Sequence, residues 1–425
     1  MERAPSPYSI LRNWDFLFYL IGRFVASFGQ QMLTVAVGWE LYERTHSPLL
    51  LGCVGLTAFV PQVLMTLPAG HVADTRDRKS VIIAMQGVMA CMALGLAWVS
   101  WSQAPVAWMF ICLSAGGVAR TFLWSASASF LPQLVEREEF PLAMTWSSST
   151  FQFSAMAGPA VGGALIALRH NAAVTVYLVT AATCLICLGS NCLVRAHAKP
   201  PPKEPFSKDM LLGGFHFVFN HRIILAVITL DLFAVLFGGA TALLPVYAKD
   251  ILRVGPQGLG LLQAALPVGS MSCAMIMAHR RPMEKSGRSL IIAVLVFGLA
   301  TVAFGYSRWF WFSLLMLFAC GFADNVSVIV RHTLVQLLTP DSMRGRVSSV
   351  NNLFIGTSNE LGGFESGFVA HLFGPVFSVV SGGIATLFVV AAVAWTWPEI
   401  PRFGRLVQPA EEEAGPPDLN KTREV

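Results

Sequence analysis

A few side chains in this sequence sit where charge is expensive. Arg23, Arg120, Asp231, Asp324, Arg331 and Glu360 lie inside long apolar runs, and Gln30 joins them on the first run. A guanidinium in such a place binds an anion or neutralises a carboxylate. A carboxylate there takes up and releases a proton at a threshold set by burial and by neighbouring cations. Arg23, Ser27, Gln30 and Thr34 recur at helical spacing and form one polar face. Trp124 follows Arg120 by one turn, so a cation and a flat aromatic share a face suited to an aromatic or amphipathic molecule, or to helix packing. Glu360 and Glu365 point about 140° apart on a helix. At most one of them faces a common cavity, and Glu360 is the one taken here.

Depth along the helices, at about 1.5 Å per residue, suggests the pairings. Arg23, Asp231 and Arg331 lie at similar depth, so Asp231 is expected to pair with Arg23 or with Arg331, either as a static ion pair or as a proton-coupled one. Asp324 and Arg120 occupy equivalent positions in the two halves of the chain. They meet across a cavity, or Asp324 carries a proton while Arg120 holds an anionic substrate.

Hydrolytic chemistry has no counterpart here. There is no HExxH, GxSxG or GxxxxGK[ST], and the eight cysteines lie in or beside apolar runs with no histidine cluster nearby. The expectations are therefore no metal, no cofactor, no enzyme, and energy drawn from a gradient rather than from ATP on this chain.

Positioning these groups takes long helices. Of 425 residues, 55% are hydrophobic and 12% charged, against about 25% charge in soluble domains. That balance predicts an all-α membrane protein. Spans are expected at 16–41, 49–73, 80–102, 105–134, 143–168, 172–194, 223–247, 257–280, 288–306, 309–338, 348–370 and 375–397. They divide as a first six-helix bundle at 1–194, a linker with an amphipathic helix at 195–222, a second bundle at 223–398 and a disordered tail at 399–425. The first span is too long for a signal peptide and lacks a cleavage site. With both termini on one side, only Arg44, Arg169, Lys249, Arg253 and Arg308 of the 29 Lys and Arg fall in loops on the other side, and Arg23, Arg120 and Arg331 lie within spans. The crowded side is the cytoplasm. The halves repeat: Gly117 and Arg120 fall on Gly321 and Asp324 at an offset of 204, and Pro48 and Gly52 match Pro256 and Gly260 at 208. Repeated halves around a mid-membrane site are the plan of secondary transporters.

Two further patterns carry a resemblance. Gly70, Asp74, Arg78 and Lys79 stand between the second and third spans as Gly-x-x-x-Asp-x-x-x-Arg-Lys, and Gly158, Pro159, Gly162 and Gly163 stand in the fifth as Gly-Pro-x-x-Gly-Gly. Over essentially its whole length the chain resembles the major facilitator superfamily. Thr339 to Val347 and Leu243 to Val246 are similar to its enterobactin-exporter-like branch, the transmembrane secretion effectors. The resemblance implies that spans 1, 4, 7 and 10 line a central cavity. It implies that Asp74 latches onto the start of span 11, near Arg346, when the cytoplasmic side shuts, while Arg78 or Lys79 contacts the end of a neighbouring span. The span 5 glycines then bend that helix, pack it on span 8 and favour exchange over leak. The expected protein is a monomeric inner-membrane exporter moving a siderophore, metabolite or drug against protons, with an uptake symporter or lysophospholipid flippase as alternatives. Its partners are a small molecule, protons and the bilayer, not nucleic acid. The departures are Asp77 where glycine is usual, and the second-half loop around Arg280 and Arg281, which lacks the aspartate.

Overall fold

In the computed structural model, residues 8–168, 172–195, 208–280, 285–340, 343–400 and 404 are described. Residues 196–207 of the linker and nearly all of the tail lie outside them. The long helices are α1 (Trp14–Thr45), α2 (Pro48–Thr75), α3 (Arg78–Ser102), α4 (Ala107–Leu134), α5 (Phe140–Leu168) and α6 (Ala172–Leu193). After the linker helix α7 (Lys208–Asn220) come α8 (Arg222–Phe237), the short α9 (Leu244–Val246), α10 (Gly255–Ala278), α11 (Ser286–Tyr306), α12 (Phe310–Leu338), α13 (Arg344–Phe373) and α14 (Pro375–Thr396). Among the described residues, eleven stretches are long and apolar enough to cross a membrane. The twelfth, α13, is 30 residues long and falls short in hydropathy because Arg344, Arg346, Asn351, Asn352, Asn359, Glu360 and Glu365 lie along it.

Local signals set the helix ends. Asn13 caps α1 by accepting from the amides of Asp15 and Phe16. Ser47 caps α2 with Pro48 at its first turn, and the Asp77 carboxylate accepts from the Ser80 amide to start α3. Asp77 thus fills the position where glycine is usual with a working cap.

The expected seventh span, 223–247, is not one helix. α8 stops at Gly238, a 3₁₀ stretch runs Gly239–Leu243, α9 follows, and a π turn closes it at Tyr247–Ile251. Two consecutive glycines supply the weak point, and such irregular turns inside a span are tolerated where they line a cavity.

Packing repeats between the halves. α1 packs on α5 and α6, α2 on α4, and α3 on α4 and α6; correspondingly α8 packs on α13 and α14, α10 on α12, and α11 on α12 and α14. The halves touch chiefly through α2 on α13 and α5 on α10. Both contacts use glycine. A Cβ placed on Gly367 would lie 2.9 Å from the Gly52 Cα, and one on Gly163 would lie 3.0 Å from the Gly260 Cα. Gly52 and Gly260, and Gly163 and Gly367, are repeat equivalents, so this is one contact made twice.

Candidate functional site

The α2–α3 turn marks one face of the bundle, called the basic face below. At the opposite face, α1 reaches across to the second half. Lys249 Nζ lies 2.8 Å from Glu43 Oε2 and 3.3 Å from the His46 ring. The Tyr42 hydroxyl bonds Asp250, and Pro245 packs on Gly38. Toward the basic face the halves separate. Gly70 and Gly345 have open space around them, and Asp74 is exposed. The interface is therefore shut at the opposite face and parted at the basic face.

Arg78 is 3% exposed, and its guanidinium donates to the carbonyls of Ala73 and Ser129 at the ends of α2 and α4. Lys79 donates to the carbonyls of Cys192, in the last turn of α6, and Val194, just past its end. Both cations sit at helix C-termini, where the unpaired carbonyls and the helix dipole favour positive charge. They tie the start of α3 to the ends of three other helices of the same half. Arg346 lies against Met343 and α7.

A cavity of about 360 Å³ lies in the second half, bordered from the first half by Gln152. Asp324, Asn325, Ser270, Thr241, Asn359 and, from the first half, Gln152 give it polar atoms, and Gly238 and Gly239 expose backbone to it. Phe297, Phe304 and Leu317 make it otherwise apolar. Among the described residues Asp324 makes no ion pair. Behind it, a void of about 10 Å³ is lined by Asp324, Ser327 and Asp231.

The charged groups select among the alternatives that the sequence left open. Asp231 pairs with Arg331, and both are nearly fully buried. Arg23 instead donates to the Tyr19 hydroxyl at 2.9 Å, because Tyr19 lies one turn away on its own helix while Asp231 is already engaged. Arg120 does not meet Asp324. The carboxylate of Glu360 on α13 occupies the space over Gly55 on α2 where a side chain would otherwise stand. Gly117 lets α4 close onto Ala58 of α2. Trp124 is 73% exposed on the Arg120 stripe. The amide group of Gln30 is buried with no hydrogen-bond partner. Glu365 turns away to the Ser366 hydroxyl. Pro159 and Gly163 sit on Gly260 of α10, while Gly158 and Gly162 lie against Gln31 and Met32 of α1.

Comparison with known proteins now decides the family. The model of the Major Facilitator Superfamily matches residues 19–363. The chain belongs to that superfamily. Enterobactin exporter EntS of Shigella boydii serotype 4 (strain Sb227) is 24% identical over 389 residues, covering 90% of this chain and 92% of that protein. EntS of Escherichia coli O81 (strain ED1a) matches to the same extent. Among solved structures, a bacterial homolog to the human lysosomal transporter Spinster, in an inward-facing and occupied conformation, superposes with TM-score 0.75 at 14% identity, over 96% of this chain and 100% of that one. The nucleoside transporter NupG gives 0.69 at 15%, over 92% and 99%. The chain is thus a multi-pass membrane transporter of the superfamily and not an enzyme.

Gln152, Asn359, the Gly238–Gly239 break and the Tyr42, Glu43, Lys249, Asp250 cluster were not singled out from sequence as site residues. The repeat pairing of Pro48 and Gly52 with Pro256 and Gly260 was the available signal for the glycine contacts. No sequence signal marked the cluster, because its ion pair is made by ordinary loop-end charges.

Proposed function

We propose that this chain exports a small amphipathic molecule, of siderophore, metabolite or drug type, by antiport against protons. The basic face is the cytoplasmic one, since loops there hold most of the cations, so the structure stands open to the cytoplasm. Relatives named as enterobactin exporters support the outward direction. The single observation carrying the reading is Asp324. A carboxylate without an ion pair among the described residues lines the second-half cavity that Gln152 of the first half borders, where cargo and proton compete for one site. Cargo binds beside the ionised carboxylate on the cytoplasmic side, protonation on the other side displaces it, and the proton is released to the cytoplasm on return, so proton entry drives cargo exit. The Asp231–Arg331 pair stands one small void away and fixes the charge of the span behind it.

Inside-out vesicles with an acidified lumen test this. Wild-type protein accumulates cargo, and collapsing the pH difference abolishes accumulation. Asp324→Asn keeps exchange of labelled for unlabelled cargo without a gradient but loses accumulation by at least tenfold. Accumulation that survives collapse of the gradient would sink antiport. Undiminished accumulation by Asp324→Asn would move the coupling role elsewhere.

A further inference from the structure

The second-half cavity carries a negative charge that its own wall does not offset. Asp324 lines it and makes neither an ion pair nor a hydrogen bond among the described residues. No lysine, arginine or histidine is among the residues that line it. The deep cations are engaged or stand elsewhere. Arg331 is nearly fully buried and paired with Asp231, Arg23 is held by Tyr19, and Arg120 does not reach the lining. The hydroxyls add to the same bias. Ser270 donates to the Gly321 carbonyl at 2.9 Å, and Thr301 donates to the Phe297 carbonyl at 2.9 Å. With those protons committed, each hydroxyl presents only lone pairs to the cavity. The amides of Gln152, Asn325 and Asn359 offer an oxygen as well as donors. Gly238 caps the C-terminal end of α8, and with Gly239 it opens that end to the cavity. The negative end of a helix dipole favours a cation. One wall is aromatic. Phe297 lines both this cavity and the void behind Asp324. Gly238 leaves room for its ring, since a Cβ there would lie 2.7 Å from ring carbon Cε1.

We propose that this cavity recognises cargo by a positive charge, with a protonated amine docked on the Asp324 carboxylate and an apolar body against Phe297 and Leu317. This deepens the exporter reading above and rests on it, since it narrows the cargo to a small amphipathic organic cation. The physical reason is compensation. A carboxylate inside a spanning segment stays ionised only where another group offsets its charge, and the cavity wall holds no such group. A ligand ammonium brings both the charge and the N–H donors that the lone pairs of Asp324, Ser270 and Thr301 call for. The face of Phe297 adds cation–π attraction in a desolvated place. A proton offsets the same charge by bonding to the carboxylate. Proton and ammonium therefore exclude each other at Asp324, and one proton replaces one monovalent cation. An anionic cargo would meet Asp324 with no cation to receive it. The volume of about 360 Å³ lies near the lower end for small-molecule sites, roughly 300–1,000 Å³, and suits a compact cargo.

The test uses purified full-length protein in phosphatidylcholine nanodiscs at neutral pH and three fluorescent probes on one ring and chain. They are N-(5-aminopentyl)dansylamide, its N-acetyl derivative and 6-(dansylamino)hexanoic acid. The first is a cation at this pH, as lysine is, the second is uncharged and the third is an anion. Wild-type protein is expected to bind the amine at least tenfold more tightly than either of the others. Asp324→Asn brings the amine down to the affinity of the N-acetyl probe and leaves that probe unchanged. Phe297→Leu weakens the amine severalfold and the N-acetyl probe less. Glu365→Gln removes a carboxylate that does not line the cavity and leaves the preference intact. Should Asp324→Asn fail to fold, Thr241→Lys places a cation in the wall with Asp324 still present, and is expected to abolish the preference for the amine. Equal binding of the three probes by wild-type protein overturns the proposal, as does tighter binding of the acid. An amine preference that survives Asp324→Asn or Thr241→Lys, or that Glu365→Gln removes as fully, overturns it too. Binding is read without any gradient. Failure of the vesicle experiment above would sink antiport and leave this measurement standing, whereas probes bound alike would leave antiport of an uncharged cargo standing.

Discussion

At the residue scale, the ion pair between Asp231 and Arg331 and the cluster at the opposite face obey different energetics. Both members of the buried pair are under a tenth exposed. Removing one partner strands the other in a low-dielectric interior, at a cost of about 3–5 kcal/mol. Asp231→Ala is therefore expected to lower the thermal midpoint in detergent sharply. The double variant Asp231→Leu with Arg331→Met, which removes both charges and keeps volume, should recover most of that loss. A double variant as unstable as the single would mean that the charges themselves are needed. The pair was among the alternatives legible in the sequence because depth along two helices can be counted. Which cation Asp231 would choose was not, since Arg23 and Arg331 lie at similar depth. Local competition decided it: Tyr19 is one turn from Arg23, and a hydrogen bond to one's own helix needs no tertiary arrangement.

At the element scale, the contact between halves is built from small residues because no side chain fits. Gly163 against Gly260 and Gly367 against Gly52 bring backbones together as tightly as membrane helices approach. The Gly158 to Gly163 run was visible in the sequence. The resemblance implied that it packs on the eighth span, α10; that the facing residue there is Gly260 became visible only from the packing. The break in α8 was hidden for a similar reason. Apolar periodicity continues through Gly238 and Gly239, and hydropathy does not register a backbone that changes from α to 3₁₀. Because the two glycine contacts are repeat equivalents, they should respond alike. Gly163→Val and Gly367→Val each wedge the halves apart at the shut face. Spin labels at Ser102 and Tyr306, which end α3 and α11 at that face, should show a longer distance in either variant. A longer distance in one variant only would mean that the two contacts do not act as a symmetric pair.

At the scale of the whole molecule, the two faces are held by different devices, and transport requires them to alternate. The shut face is joined by Glu43, His46, Tyr42, Lys249 and Asp250. Glu43 is half exposed, and an exposed ion pair contributes about 0–1 kcal/mol. That is weak enough to be broken each cycle, yet a shift of about 1 kcal/mol changes a two-state ratio roughly fivefold. On the basic face Arg78 and Lys79 bind their own half, which leaves Asp74 as the side chain of the motif to act between halves. Asp74→Asn is expected to slow transport more than any single neutralisation of Arg280, Arg281 or Lys285, because the second-half loop has no aspartate to duplicate it. Equal losses would show that Asp74 is not the latch. At the other face, Glu43→Lys and Lys249→Glu each replace an attraction with a repulsion between the halves. Each should raise the outward-open population, seen as a longer Ser102–Tyr306 spin-label distance, and the effect should shrink in high salt as screening grows. The double exchange restores the pair with its charges reversed and should return the distance to that of the wild type. A double variant that stays open would mean that the cluster takes no part in closing this face, and that the glycine contacts hold it alone.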